Sequence, residues 1–196
     1  MEIVVFDFDG TITTKDTFLE FIKFTKGNRR LLFGLFFLSP VLVVYLLNLY
    51  PNWKAKQLVF SHFFKGTTLE QFNEWGESFL VKIKRMSRLK AIEAIKRHQS
   101  KSDKVVVVSA SIENWIKPWA YEMGIDLVLA TRLEVNENGK LTGNFLTKNC
   151  YGQEKVNRIL ELFPERNSYS LTVYGDSRGD KELIEFADKG WYNLFK

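Results

Sequence analysis

Two carboxylates stand two residues apart near the start of the chain, in Asp7-Phe8-Asp9-Gly10-Thr11. In an extended backbone both side chains point one way, and a turn at Gly10 can re-aim the second. Two acids suit a division of labour: one stays ionised to attack or to bind a metal, the other trades a proton with a leaving group. A second polar point is Ser109, directly after four valines (105–108). A hydroxyl there, with neighbouring N–H groups, holds a phosphoryl oxygen if a helix follows, and Ser111 is the predicted N-cap of that helix. Third, Lys155 sits near the start of a predicted helix that runs through Leu162, a place the helix dipole disfavours for a cation unless an anion lies close by. Fourth, Gly175-Asp176-Ser177-Arg178-Gly179-Asp180 adds two more acids, Asp176 and Asp180. Four carboxylates at one site repel unless a hard divalent cation joins them, and oxygen-only ligands favour Mg2+ over zinc. Each feature alone has a plain structural alternative: a surface turn, a capping serine, an exposed lysine.

What brings these points together is a set of short apolar runs. Residues 3–6, 104–108 and 171–174 have the length and aliphatic character of buried parallel strands, and each leads into one of the polar segments. In open α/β sheets ligands bind where loops leave the carboxyl ends of strands, so three polar strand ends predict one shared site. Nearly a hundred residues separate the first two strands. Within them, residues 69–99 show helical spacing, with Phe72, Trp75, Phe79, Ile83, Met86 and Leu89 recurring at three- and four-residue steps as a packing stripe. Residues 127–135 and 140–146 flank Asn136-Glu137-Asn138-Gly139 and predict a β-hairpin.

The segment from Leu31 to Trp53 carries no charge, with Lys26, Arg29 and Arg30 before it and Lys54 and Lys56 after it. Its length is that of a membrane span. A single crossing would put Asp7 and Ser109 on opposite sides, however, and Pro40 leaves two arms of about ten residues, each too short to span. The expectation is a helical hairpin that packs in the insertion, forms a homodimer interface, or dips into one anionic leaflet.

The chain has 196 residues, 45% hydrophobic and 26% charged, which excludes wholesale disorder and provides a core without staples. Cys150 is the single cysteine, so no intramolecular disulfide forms, and His62 and His98, far apart in sequence, with that one cysteine argue against a zinc site. No secretory signal is read at the start of the chain, and the expected location is cytoplasmic, with contact at the inner face of the membrane. Net charge is +5, suited to anionic partners. Residues 82–104 hold nine basic side chains against Glu93 and Asp103, but no aromatic platform accompanies them, and they are read as a solvated helix face rather than a nucleic-acid site.

The ordered set DxDGT, strand-serine, lysine and GDxxxD, spread from Asp7 to Asp180, resembles the haloacid dehalogenase superfamily. The helical insertion after the first strand resembles the cap of its phosphoserine phosphatase-like branch. The resemblance implies an α/β fold: a Rossmann-like parallel-sheet core (1–14 and 100–196), an all-helical cap (15–99) and a small β-hairpin. It implies a phosphatase acting on a phosphate ester, with Asp7 as nucleophile forming an aspartyl-phosphate and Asp9 as the acid and then base. Mg2+ would be held by Asp7, the Asp9 backbone carbonyl and Asp176, with Asp180 steadying the site. Ser109 and Lys155 would bind phosphoryl oxygens, and Gly10 and Thr11 would shape the phosphate loop. An acid at Asp9 separates phosphatases from the dehalogenases and ion-pumping ATPases of the superfamily, which lack one. Gly179 departs from the asparagine usual before the last aspartate. Asp16 falls where such phosphatases read the substrate's amino group, yet the cap is more apolar than a serine-phosphate pocket requires. The apolar hairpin resembles, more weakly, membrane-associated phosphatidylglycerophosphate phosphatases of the same superfamily, which would make the substrate a lipid phosphate. The rivals are a small soluble phosphate ester and a catalytically silent binding module that keeps the fold.

Overall fold

A computed structural model describes residues 1–47 and 49–196; Asn48, within the apolar segment from Leu31 to Trp53, lies outside the described residues. The strands are β1 (Glu2–Phe6), β2 (Lys104–Ile112), β3 (Leu127–Thr131), β4 (Leu133–Val135), β5 (Leu141–Phe145), β6 (Ser170–Gly175) and β7 (Lys189–Tyr192). The helices are α1 (Thr17–Lys26), α2 (Asn28–Phe37), α3 (Ser39–Leu46), α4 (Asn52–Phe64), α5 (Leu69–Met86), α6 (Leu89–Ser100), α7 (Glu113–Glu122), α8 (Gln153–Leu162) and α9 (Lys181–Phe186).

Five strands form a parallel sheet in the order β3-β2-β1-β6-β7. Alternate residues of its central strands are buried on both faces: Val4, Phe6, Val105 and Val107 pack one way, and Ile3, Val5, Val106 and Val108 the other. This two-sided burial is why the strands read as unbroken apolar runs. Among the described residues six α-helices, α1 to α6, separate β1 from β2, the predicted helical insertion. Backbone hydrogen bonds from Thr14 N–H to Met86 O and from Arg88 N–H to Ile12 O, both 2.8 Å, pair the chain as it enters α1 with the chain as it leaves α5.

A cluster of aromatic rings holds α1, α4, α5 and α7 together. Phe21 stacks on Trp115 with centroids 4.4 Å apart, and Phe60, Phe64, Phe72 and Phe79 surround them, all buried. Because Trp115 follows β2, this contact ties the helical insertion to the sheet.

Three expectations need correction. Residues 69–99 are helical as their spacing predicts, but Leu89 is exposed and off the packing stripe, because Ser87 and Arg88 adopt extended backbone, the Arg88 N–H bonds Ile12 O, and the segment divides into α5 and α6. Residues 127–131 belong to the main sheet as β3, so the hairpin is the shorter pair β4–β5. Ser111 is not the N-cap of α7, which starts after Ile112 without a side-chain cap; the β2–β3 ladder breaks register between Val108 and Ile112, and Ser109 to Ser111 lie in that break.

The apolar segment is two helices meeting at 71° around Leu38, with Pro40 in the first turn of α3, where its missing N–H costs nothing. Among the described residues no single helix is long and apolar enough to cross a membrane.

Candidate active site

The site lies at the carboxyl edge of the sheet, where β1, β2 and β6 end side by side. Asp7 follows β1, and its N–H donates to Tyr174 O at 2.9 Å, fixing it against β6. The turn after it needs Gly10, whose φ is +85°, and a Cβ there would collide with the Asp176 carboxylate. Thr11, buried, donates its hydroxyl to Asp176 Oδ1 at 3.4 Å.

Lys155 reaches the centre from the first turn of α8. It is 2% exposed, and its Nζ donates to Asp7 Oδ1 and Asp180 Oδ1, each at 2.5 Å, and to Val108 O at 3.3 Å. The cation at a helix start is thus answered by two buried carboxylates. Burial opposes its charge, but Asp7 and Asp180 outweigh that and hold its pKa above the ordinary lysine value. Asp180 turns its other oxygen back on the loop, accepting from Asp176 N–H, Ser177 N–H and the Ser177 hydroxyl at 2.8–3.1 Å. Burial disfavours its charge, yet Lys155 and these donors leave its pKa below the ordinary value. For Asp7 burial wins: it pushes the carboxyl up to about 8, with Lys155 pulling down and Asp180 pushing up.

Asp9 is held differently. Its Oδ1 accepts Thr17 N–H at 2.7 Å and its Oδ2 accepts the Ser111 hydroxyl at 2.5 Å. Burial first, and then the nearby Asp16 charge, raise its pKa above the ordinary carboxylate value. Ser109 is fully buried and its hydroxyl oxygen accepts Ser111 N–H at 2.9 Å, so the two serines brace the break in β2 behind Asp9.

Asp7, Asp9, Asp16 and Lys155 line one cavity of about 480 Å³. Asp16 also caps α1, accepting Leu19 N–H at 3.1 Å. The rest of the wall is unlike the floor: Leu35 of α2, Leu42 and Tyr45 of α3, and Val59 of α4 make it largely apolar. Ser111 is outside the lining of the cavity and holds Asp9 instead of capping a helix; its serine-x-serine spacing is the available signal. Polar residues of the wall that the sequence does not single out as site residues include Lys56 and Tyr151. Lys56, read only as a basic flank, lines the cavity and donates to Ala110 O at 2.9 Å, with burial pulling its pKa down. Tyr151 lines the wall from the loop before α8. Nothing local in the sequence marks Lys56 or Tyr151.

Carboxylate oxygens of Asp7, Asp176 and Asp180 lie within 4.8 Å of one another, a cluster able to hold a hard cation. Asp176 already attracts positive charge, its Oδ2 taking the Lys196 ammonium at 2.9 Å. Donor set, proximity and excess negative charge fit a divalent ion.

A parallel sheet ending in a lysine-bridged aspartate pair, with helices inserted after the first strand, defines a capped Rossmann-like α/β core. The chain belongs to the haloacid dehalogenase-like hydrolase family, whose model matches residues 4–185. Protein CicA of Caulobacter vibrioides is 34% identical over 196 residues, covering 99% of this chain and 86% of that one. A histidinol-phosphatase of Neisseria meningitidis is 29% identical over 100 residues, 48% of this chain and 45% of its own. Among solved structures, a Bordetella pertussis protein of unknown function aligns with TM-score 0.79 at 18% identity, over 94% of this chain and 86% of that one. A substrate-bound phosphoserine phosphatase aligns with TM-score 0.68 at 20% identity, over 97% and 84%. These two share the fold.

Proposed function

We propose that the protein is a Mg2+-dependent phosphomonoester hydrolase that works through an aspartyl-phosphate and takes a lipid phosphate, of which phosphatidylglycerophosphate is an example. The observation that carries this is a single cavity lined both by Asp7, Asp9 and Lys155 and by aliphatic side chains of α2, α3 and α4.

The Asp7 carboxylate attacks phosphorus, and the bond from phosphorus to the alcohol oxygen breaks as Asp9 gives that oxygen its proton. Asp9, now a carboxylate, takes a proton from water, whose oxygen attacks the same phosphorus. The acyl-phosphate bond then breaks, inorganic phosphate leaves and Asp7 is recovered. Lys155 and Ser109 steady the phosphoryl oxygens, and Gly10 and Thr11 shape the loop beneath them. Asp7, the Asp9 backbone carbonyl and Asp176 would hold Mg2+, which supplies charge neutralisation between carboxylates and phosphoryl group. Asp180 supports that set through Lys155 and Ser177. On this reading the enzyme is cytoplasmic and meets its substrate at the inner face of the membrane.

Asp16 and Lys56, both lining the cavity, favour a second reading, a small zwitterionic ester of the phosphoserine kind. Phosphate release on a paired panel decides between them: phosphoserine and sugar phosphates beside phosphatidylglycerophosphate and phosphatidate in mixed micelles, with Mg2+ or EDTA. Preference for the lipid half is expected, and preference for the soluble half would replace the lipid reading. If Asp7→Asn released phosphate at the wild-type rate, the hydrolytic mechanism itself would fall.

A further inference from the structure

The two helices that wall the cavity turn their other sides outward. Leu32, Phe33, Phe36 and Phe37 of α2 and Val43 and Leu46 of α3 are all more than half exposed, Phe36 reaching 77%. Leu46 both lines the catalytic cavity and stands 73% exposed, so the rim of that cavity belongs to this face. A contiguous apolar surface of this kind is covered by something in a working protein.

Charge says what covers it. Between Glu20 and Glu70 the chain has seven basic residues and no acid. Three of them, Lys26, Arg29 and Arg30, line a second cavity of about 550 Å³ together with Phe33, His62 and Phe63, at the edge of the apolar face. Among the described residues none of the three takes part in an ion pair; the Lys26 ammonium rests instead over the Trp75 ring at 4.5 Å. Three cations with no acid beside them among the described residues, around an apolar notch, call for an amphiphilic anion. A second copy of the chain is a poor occupant, because a two-fold contact would set this basic edge against itself with no acid to answer it.

We propose that the outer face of α2 and α3 docks on an anionic leaflet, with headgroup phosphates seated at the notch formed by Lys26, Arg29 and Arg30. The helices then lie in the plane of the interface, Phe33 and Phe36 enter the acyl boundary, and the rim at Leu46 opens the catalytic cavity toward lipid. That the docked lipid is also the substrate rests on the hydrolase reading above; the docking does not. Vesicle binding, read without turnover, keeps the two separable.

The test is co-sedimentation of the full chain with phosphatidylcholine vesicles, with and without phosphatidylglycerol, alongside Arg29→Gln/Arg30→Gln and Phe33→Ser/Phe36→Ser. None of these side chains lines the catalytic cavity, so turnover of soluble p-nitrophenyl phosphate reports that the variants remain folded. Wild type is expected to bind the anionic vesicles and not the neutral ones, with binding falling as salt rises. The arginine pair is expected to lose about thirtyfold in affinity, and the phenylalanine pair to lose binding at equal soluble turnover. Absence of wild-type binding to anionic vesicles would overturn the proposal, as would variants that bind like wild type. Sedimentation as a dimer that Phe33→Ser/Phe36→Ser dissociates, with no vesicle binding, would reassign the face to chain–chain contact.

Discussion

Lys155→Met keeps the length and the apolar stem of the side chain and removes its ammonium. That ammonium is the shared partner of Asp7 and Asp180, at 2.5 Å from each, in a place only 2% exposed. Removing one member of a buried ion pair costs about 3–5 kcal/mol, because the other charge stays behind without a partner. The pH dependence follows from the two carboxylates. Asp180 has a folded pKa below its unfolded one, so the stability it contributes is present above the unfolded value and lost as pH falls through the folded value. Lys155 supplies much of that stability. Asp7, pushed up to about 8, takes up a proton as pH falls through that value and then no longer needs a cation. The deficit of Lys155→Met is therefore expected to be largest at alkaline pH, about 3–5 kcal/mol, and to close in two stages on acidification. Urea unfolding in EDTA, followed by fluorescence of the buried Trp115 and Trp119, measures it without a divalent ion standing in for the lysine. Combining Asp7→Asn with Lys155→Met is expected to recover about 2 kcal/mol relative to additivity. A variant within about 1 kcal/mol of wild type at alkaline pH, or strict additivity in the double variant, would refute the shared-cation account.

Gly10→Ala forces a side chain into a φ of +85° and into the Asp176 carboxylate; a loss of about 1–2 kcal/mol in unfolding free energy is expected, with a larger loss of Mg2+ affinity by titration calorimetry. Asp9 must be protonated to assist a poor leaving group, so alkyl phosphate turnover is expected to fall as pH rises through its elevated pKa, while p-nitrophenyl phosphate, whose leaving group needs no proton, falls less. Ser111→Ala removes a donor that favours the charged form of Asp9; the alkaline limb for alkyl esters should move to higher pH, and a limb that stays in place or moves down would show that Ser111 does not act on Asp9. Chelation with EDTA is expected to abolish turnover and Mg2+ to restore it, followed as phosphate release.

The amino-acid sequence determined the parts that local chemistry can announce. Buried parallel strands declare themselves because both faces are apolar, and the residues at their ends stood out against those runs, so Asp7, Asp9, Asp176 and Asp180 were legible as a group. Pro40 was enough to divide the apolar segment, since a missing N–H acts within one turn. Cooperation across the chain was not legible. Whether Ser111 capped a helix or held Asp9 depended on a register break in β2, which arises from pairing with β3 and leaves no mark on neighbouring residues. Whether residues 69–99 were one helix or two was decided by Ile12, which captures the Arg88 N–H from more than seventy positions away. Lys56 looked like one more basic flank until α4 laid it over the cavity. The same holds for the apolar segment: hydropathy gives its composition, but only packing decides that Leu35 and Leu42 face the cavity while Phe33 and Phe36 face outward. Side-chain chemistry is a property of one residue, whereas burial and partnership belong to pairs brought together by the fold.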